Sequence, residues 1–221
     1  MVNPAQKWKM DQNSEQSVNF QGFPELRRSV SAALEALATD LENASGGAQL
    51  AALCDTRALH RRLFAPLLPE AAQYAAGVYR GTMGTRLERL ERAVFISRKA
   101  PGLRNQHHCA KPQEVADVMG ALALRLDQIW NGPRPSSDQA FADLAEVSYL
   151  FLHAHPYMDG NGHIFRLILP VLARRLGLHA RAEWTLHPRP YDHLMSLCLQ
   201  WYPHHPGLLA CYLRQWFSAQ T

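Results

Sequence analysis

Apolar residues recur at spacings of three and four along most of the chain, which is the pattern of amphipathic helices. The clearest stripe runs from Leu26 to Leu41, shortly after Pro24, a residue suited to the first turn of a helix. Helices are predicted from Pro24 to about residue 43, over 49–64, 112–131, 162–176, 189–201 and 206–218, and from Ser137 or Asp138 to His155.

The segment 77–111 lacks this pattern. Glycine and proline interrupt it at both ends, and Val94, Phe95 and Ile96 form a short β-prone run between them. Such a run between turn residues predicts a small hairpin or flap with mobile loops. Strand content is otherwise very low and no internal repeat is present, so the predicted fold class is all-α with a minor β-hairpin.

Length and composition bound the organisation of the chain. A chain of 221 residues that is 47% hydrophobic suits one domain with a sizeable core. We predict a flexible N-terminal extension over the polar residues 1–22, an N-terminal helix within 23–47 and the main domain over 48–221. No apolar run approaches the ~20 residues of a membrane helix, and no secretory h-region is readable. We therefore expect no membrane partner and a cytoplasmic location, with non-classical export as an effector left open.

The charge balance and the cysteines constrain the function less strongly. The formal net charge is +4 with a pI near 9.0, which suits a phosphate-bearing ligand or an acidic partner as well as an ordinary solvated surface. No run of Lys and Arg is interleaved with aromatic residues, so we expect no nucleic-acid partner. The four cysteines form no Cys-x-x-Cys pair and are predicted to be free thiols of a reducing compartment.

The chemically informative stretch is 155–166, which reads His-Pro-Tyr-Met-Asp-Gly-Asn-Gly-His-Ile-Phe-Arg. One helix ends at its start, a loop rich in Gly, Asn and Asp follows, and a new helix begins. Gly160 and Gly162 let successive N–H groups face one point, where the orphan N–H groups and the positive dipole end of the new helix also lie. Such a nest binds anions, and phosphate is its natural ligand.

Three side chains of this stretch suit reactions at phosphorus. Asp159 offers hard oxygens for Mg²⁺, which is usually bound by a carboxylate together with substrate phosphates. Arg166, one turn into the new helix, can bind the same anion with a bidentate fork. His155, at the opposite lip of the loop, can take a hydroxyl proton near neutral pH. A nucleotidyl or phosphoryl transfer site needs all of these features together, whereas a packing corner explains any one of them alone.

Other interpretations of these and nearby residues fail on geometry. The loop lacks the Lys-Ser/Thr of a P-loop and the glycine and glutamate spacing of an EF-hand. His153 and His155 lie two residues apart and point in roughly opposite directions on a helix, so they cannot share a metal. His107, His108 and Cys109 look like half of a metal cluster, but no second half accompanies them, and a plain loop is expected there.

The stretch resembles the signature of Fic (filamentation-induced by cAMP) proteins, His-Pro-Phe-x-Asp/Glu-Gly-Asn-Gly-Arg-x-x-Arg. Tyr157 replaces the phenylalanine conservatively, and His163 replaces the first arginine. Weaker similarities are residues 59–64, which look like an early helix of the family, and residues 77–80, which look like its Gly-x-aromatic-Arg turn. The matching positions of the signature are His155, Pro156, Asp159, Gly160, Asn161, Gly162 and Arg166.

This resemblance implies a fold, an activity and a set of roles. The fold would be a Fic-type helical bundle with a small β-hairpin flap, and the activity would be transfer of AMP from ATP, the co-substrate, to a Ser, Thr or Tyr hydroxyl of a target protein. His155 would deprotonate the hydroxyl, Asp159 would hold Mg²⁺, and Arg166 would pair with the distal phosphates. The flap run 94–96 would align the target segment by β-augmentation. The residues that would cradle the α- and β-phosphates are Gly160, Asn161 and Gly162.

His163 is the main departure from the signature. A neutral imidazole has one donor where a guanidinium has five. With its ordinary pKa near ~6.5, His163 would recover positive charge and tighten nucleotide binding as pH falls. Three outcomes stay open: a slower AMP transferase, an enzyme that uses another phosphate-containing donor, and a catalytically degenerate toxin or regulatory module with the same fold.

Many Fic proteins are controlled by an inhibitory helix with the pattern Ser/Thr-x-x-x-Glu-Gly/Asn. Glu35, four residues after Ser31, and Glu42, directly before Asn43, are partial matches and therefore the candidate inhibitory glutamates. We favour the simpler interpretation that both glutamates are solvated positions on an amphipathic helix. A separate antitoxin is the alternative partner for control.

Overall fold

The computed structural model describes residues 24–68, 70–91, 93–96, 106–190 and 194–219. The predicted N-terminal extension lies outside these ranges. Within them the chain forms eight α-helices, two short 3₁₀ turns and two small antiparallel sheets. The helices are α1 (Pro24–Asn43), α2 (Gly46–Cys54), α3 (Arg57–Phe64), α4 (Val115–Asn131), α5 (Ser137–Ala154), α6 (Asn161–Arg175), α7 (Leu194–Trp201) and α8 (Pro206–Leu213). The 3₁₀ turns are Glu70–Ala75 and Pro112–Glu114, and the strands are β1 (Ala93–Ile96), β2 (Gln106–His108), β3 (Leu178–Ala180) and β4 (Phe217–Ala219).

Helix α5 lies at the centre of the fold and contacts α4, α6, α7 and α8. It carries buried residues on more than one face, and a helix of that kind must be covered on several sides. Helix α6, which is buried along most of its length, packs beside α5 and contacts α1 as well. The apolar stripe of α1, including Leu34 and Leu37, joins the same core. The helix predicted within 23–47 is therefore present and packs against the main domain.

The predicted helix over 49–64 is divided into α2 and α3. Asp55 between them has an extended backbone, and its carboxylate accepts the main-chain N–H of Arg57 at 3.1 Å and the guanidinium of the same residue at 2.8 Å. A short polar side chain that bonds the main chain two residues ahead forms a turn in competition with the helix. The break therefore arises from local chemistry that apolar spacing does not reveal.

The C-terminal region differs from its prediction. Helix α8 ends at Leu213 instead of continuing to residue 218, and residues 189 and 190, which were predicted to open the helix before it, are not helical. The chain after α8 forms β4, which pairs with β3 in an antiparallel ladder. Strands of three residues show no readable periodicity, and the buried ring of Phe217 beside Trp184 is a tertiary contact. This second sheet is therefore decided by packing.

The predicted β-hairpin flap is present as the antiparallel pair of β1 and β2, with an irregular register between Ala93 and Phe95. The fold class, all-α with a minor hairpin, is confirmed. The plain loop expected at 107–109 was wrong in part, because Gln106–His108 form β2 and gain main-chain hydrogen bonds from β1. All four cysteines are free, and none of the helices in the described ranges is long and apolar enough to cross a membrane.

Candidate active site

His155 occupies the position directly after α5, with φ 43° and ψ 57°. This left-handed conformation is usually taken by glycine at the end of a helix, because a side chain strains the backbone there by roughly 1–3 kcal/mol. This strained position makes His155 a candidate functional residue. The turn also directs the chain from the last turn of α5 into the loop 156–160.

Arg80 holds this turn from inside the protein. Its side chain is only 1% exposed, and its own main-chain N–H donates to the Pro156 carbonyl at 2.7 Å. The guanidinium donates to four main-chain carbonyls, whose oriented dipoles stabilise the buried positive charge. His155 is thereby tied to the segments on both sides of the flap. The four acceptors are the carbonyls of His155 (2.8 Å), Leu90 (3.0 Å), Ala110 (3.0 Å) and Ala154 (2.8 Å).

His60 of α3 supports the loop from below. Its Nδ1 accepts the N–H of Gly77 at 2.9 Å, so its Nε2 carries the proton and donates to the Asp159 carbonyl at 3.0 Å. The ring stacks on Tyr157 with centroids 3.8 Å apart. Burial lowers the pKa of His60 to about 4, so the side chain is neutral at physiological pH and keeps one donor and one acceptor.

Asn161 closes the loop on itself. Its side chain accepts the N–H of Tyr157 and donates to the carbonyl of the same residue, both at 2.9 Å. The Tyr157 hydroxyl shares a hydrogen bond of 2.6 Å with Thr56, which anchors the loop to the start of α3. Since both polar atoms of the Asn161 side chain are engaged, its predicted contact with phosphate falls to its main-chain N–H. That N–H and the one of Gly162 belong to the first turn of α6, where helical partners are lacking.

Gly160 sits at the junction of loop and helix with φ +80°. A Cβ atom at this position would lie 2.2 Å from the ring of Phe64. Both the positive φ and this close approach require glycine. The backbone can therefore come near a ligand at this point, as an anion nest demands.

Asp159 has the donor chemistry that Mg²⁺ prefers. One carboxylate oxygen, Oδ1, accepts the N–H of Gly160 at 2.7 Å, and the residue is partly exposed although its second carboxylate oxygen, Oδ2, is buried. In the described ranges no group of three or more His, Cys, Asp or Glu side chains converges to hold a metal. A magnesium ion here would take its remaining ligands from phosphate oxygens and water, which is its usual mode of binding. The residues present therefore fit the ion.

His163 is partly buried and packs among aromatic rings. It lies edge-on to Phe64 and stacked with His187, whose Nδ1 is 3.4 Å from its Nε2. Burial, with smaller effects from Arg166 and His187, lowers the pKa of His163 to about 3. The expectation that His163 recovers charge as pH falls through 6.5 is therefore wrong for this structure. Desolvation keeps the ring neutral.

Arg166 is 3% exposed and is held by the segment 184–187, which contains no predicted site residue. Its Nε donates to the Leu186 carbonyl at 2.6 Å, and the Trp184 ring N–H donates to the Arg166 carbonyl at 3.3 Å. Trp184, Leu186 and His187 therefore pack beside the first turns of α6. The feature of the sequence that could have indicated this segment is Trp184, a large aromatic residue in the loop after α6.

The structure also places the remaining candidate residues. Glu42 forms an ion pair with Arg174 at 2.7 Å, and Glu35 accepts a hydrogen bond from Ser31 at 3.3 Å. Both glutamates are exposed on α1, as expected of solvated helix positions, so their inhibitory role gains no support. The flap run 94–96 forms most of β1. His60 and Arg80 were noted only within similar motifs, and their roles depend on burial that spacing does not show.

The comparison with known families agrees with this geometry. The model of the Fic/DOC family matches residues 52–173, which is more than half of the chain. The matched range includes α3, the flap, α4, α5 and nearly all of α6. The chain therefore belongs to the Fic/DOC family.

Solved structures show the same fold. BepC, a VirB-translocated effector protein from Bartonella tribocorum crystallised with bound AMPPNP, superposes with a TM-score of 0.59 at 17% identity, covering 89% of this chain and 88% of that one. The N-terminal Fic domain of a VirB-translocated Bep effector from Bartonella quintana gives 0.57 at 18% identity, covering 89% and 84%. No curated protein matches at the sequence level. At these identities the likeness concerns the fold alone.

Proposed function

We propose that this protein is a protein adenylyltransferase, which transfers AMP from ATP to a hydroxyl side chain of a target protein. One observation carries the proposal: His155 directly follows α5, α6 begins at Asn161, and the short loop between them is closed by buried hydrogen bonds. Membership of the Fic/DOC family supports it, as does the AMPPNP bound to the similar BepC structure.

The chemistry follows from the placement of these groups. The target hydroxyl oxygen attacks the α-phosphorus of ATP, the bond from that phosphorus to the bridging oxygen of the β-phosphate breaks, and pyrophosphate leaves. His155 takes the hydroxyl proton. The main-chain N–H groups of Asn161 and Gly162 and the dipole of α6 would stabilise negative charge on the phosphates, whereas the N–H of Gly160, which was predicted to join them, is bonded to Asp159 Oδ1. Mg²⁺, when bound through Asp159, neutralises further phosphate charge. We expect Arg166 to pair with the distal phosphates through the guanidinium nitrogens other than Nε, which donates to the Leu186 carbonyl.

The flap is the proposed docking place for the target protein. Strand β1 pairs with β2 on one side. An extended target segment that adds to the hairpin would present its Ser, Thr or Tyr through main-chain hydrogen bonds, which tolerate many sequences. Target selection would then rest on contacts outside the reacting residue.

His163 favours a second candidate, transfer from another phosphate-containing donor. The neutral ring is packed against His187 and Phe64, and it replaces a permanent positive charge with a weak donor. A donor that carries less negative charge beyond the reacting phosphate has less need of a positive side chain at position 163. A catalytically degenerate toxin or regulatory module is the third outcome.

Intact-protein mass spectrometry tests these alternatives. The wild-type chain is incubated with a cell lysate, Mg²⁺ and ATP, and a mass gain of one AMP on the chain or on lysate proteins is expected. His155→Ala should abolish the gain while ATP binding stays largely intact, and His204→Ala, an exposed histidine, serves as the matched control. Asp159→Ala should remove the Mg²⁺ dependence of ATP binding. Absence of any adduct from ATP, or equal loss in the His204 control, contradicts the proposal.

A further inference from the structure

The segment 184–187, in the loop after β3, contacts both side chains that stand at the two arginine positions of the signature. The Leu186 carbonyl accepts the Nε–H of Arg166 at 2.6 Å. The next residue, His187, places its Nδ1 3.4 Å from Nε2 of His163, within hydrogen-bond distance. Two consecutive residues of one loop therefore restrain both side chains that the signature assigns to phosphate.

This segment is itself anchored in the core. Trp184 is 7% exposed, and its ring lies 5.0 Å from that of Phe217 on β4 and 6.0 Å from that of Phe165 on α6, centroid to centroid. Its ring N–H donates to the Arg166 carbonyl at 3.3 Å. The second sheet and α6 thus fix the loop on both sides, so His187 is presented to α6 from an ordered support.

The contact between His163 and His187 orients the ring of His163. The two rings are stacked, with centroids 5.5 Å apart and planes inclined by 17°. A hydrogen bond between neutral imidazoles uses the N–H of one ring and the lone pair of the other, so each tautomer depends on its partner. Phe64 packs edge-on against His163, and the same phenyl ring would meet a Cβ at Gly160 at 2.2 Å. His163 is therefore restrained beside the glycine that begins the helix.

We propose that His187 is a positioning residue for the phosphate chain of the donor and that it acts through His163. The inference rests on the proposed function, because it takes the first turn of α6 as the phosphate site. Burial keeps the His163 ring uncharged, so the ring can offer an anion one directed N–H but no long-range attraction. The strength of such a contact depends on orientation, and a ring that is already oriented loses less freedom when the anion binds.

A consequence follows for the kind of ligand that senses His187. Polyphosphates should bind more weakly when His187 is replaced, whether or not they carry a nucleoside. The effect should also require His163, since His187 is proposed to act only through that ring. General damage to the fold would not have this dependence, because it would weaken binding whichever residue occupies position 163.

The test is a double-mutant cycle measured by isothermal titration calorimetry on the full chain. ATP and inorganic tripolyphosphate are titrated separately, each with Mg²⁺. His187→Ala should weaken the binding of both ligands at least threefold. In a His163→Ala background the same replacement should change neither affinity by more than 1.5-fold. His179→Ala is the matched control, because His179 is exposed on the neighbouring strand β3, and it should bind both ligands as wild type does.

Two further variants separate positioning from folding. His187→Phe keeps an aromatic ring beside His163 but cannot form the hydrogen bond, so it should melt close to wild type and still lose affinity. His187→Gln retains a hydrogen-bonding side chain and should recover part of the affinity lost in His187→Ala.

The proposal is overturned if His187→Ala and His187→Phe bind both ligands as wild type does, or if the loss is as large in the His163→Ala background. A wild-type chain that binds neither ATP nor tripolyphosphate would overturn it as well. AMP transfer is not part of these readouts. A chain that shows the expected cycle but adds no AMP to any protein would contradict the proposed function and leave this inference standing.

Discussion

Replacement of Arg80 by methionine should destabilise the whole fold. The guanidinium is 1% exposed and donates to four main-chain carbonyls, two of them at His155 and Ala154. A hydrogen bond to a charged group contributes ~1.5–3 kcal/mol, and a buried acceptor left without its donor costs ~1–3 kcal/mol. Bonds from one side chain are not additive, since water and small shifts satisfy some of the carbonyls. We therefore expect a loss of about 4–5 kcal/mol in the free energy of unfolding.

Thermal and urea denaturation measure this loss. For a chain of this size, each kcal/mol corresponds to roughly 2–4 °C, so Arg80→Met should melt on the order of 10–15 °C below the wild type. Arg89→Met is the matched control, because Arg89 is exposed, and it should change stability by no more than ~0.5 kcal/mol.

A second comparison separates charge from geometry. Arg80→Lys keeps the positive charge but has no planar fork, so it should recover only part of the loss. AMP transfer by the folded fraction should fall as well, because the His155 turn loses its support. An Arg80→Met protein that melts within a few degrees of the Arg89→Met control would refute the claim that this buried cation holds the turn.

Three further changes test other parts of the site. Gly160→Ala should destabilise the protein by ~2–4 kcal/mol in urea denaturation, because its Cβ would meet Phe64 at 2.2 Å, and Phe64→Leu in the same chain should restore part of it; equal stability of Gly160→Ala and wild type would contradict this. His163→Arg should tighten ATP binding ~10-fold or more in calorimetry if the new contact contributes at least ~1.4 kcal/mol, and an unchanged Kd would show that residue 163 does not face phosphate. Stability should be greatest above pH 6.5 and fall toward pH 4, since His60, whose pKa is about 4 in the folded chain, binds a proton in this window only when unfolded. In this window His60 adds up to ~1.4 kcal/mol per pH unit to the slope of the unfolding free energy against pH, and His60→Gln should remove that contribution. An identical dependence of stability on pH in the variant would be the contrary result.

Most of the helical fold could be predicted because each helix carries its own apolar stripe. The stripe of α1 and that of α4 reappear in the core. The predictions of secondary structure failed where a side-chain hydrogen bond or a distant strand determines the local conformation. The Asp55 turn divides one predicted helix into two, and β4 exists because β3 lies beside it.

The loop 155–166 could be predicted as a site for the same local reason. Glycines, a helix N-terminus, a carboxylate and an arginine within twelve residues must lie near one another, whatever the rest of the chain does. The protonation behaviour could not be predicted. His163 has an ordinary histidine sequence context, yet its pKa falls to about 3, because α3 and the segment containing His187 bury it.

The amino-acid sequence by itself determined the helices, the hairpin and the chemical content of the loop, since these depend on residues within a few turns of each other. Only the tertiary structure decided what holds the loop and what surrounds it. Arg80 reaches carbonyls up to 75 residues away, and His60 reaches Asp159 across 99 residues. The tertiary structure also brings the rings of His107 and His153 within 3.3 Å of each other. Burial, hydrogen-bond partners and pKa values depend on which distant segments pack together, and no local pattern in the chain records that.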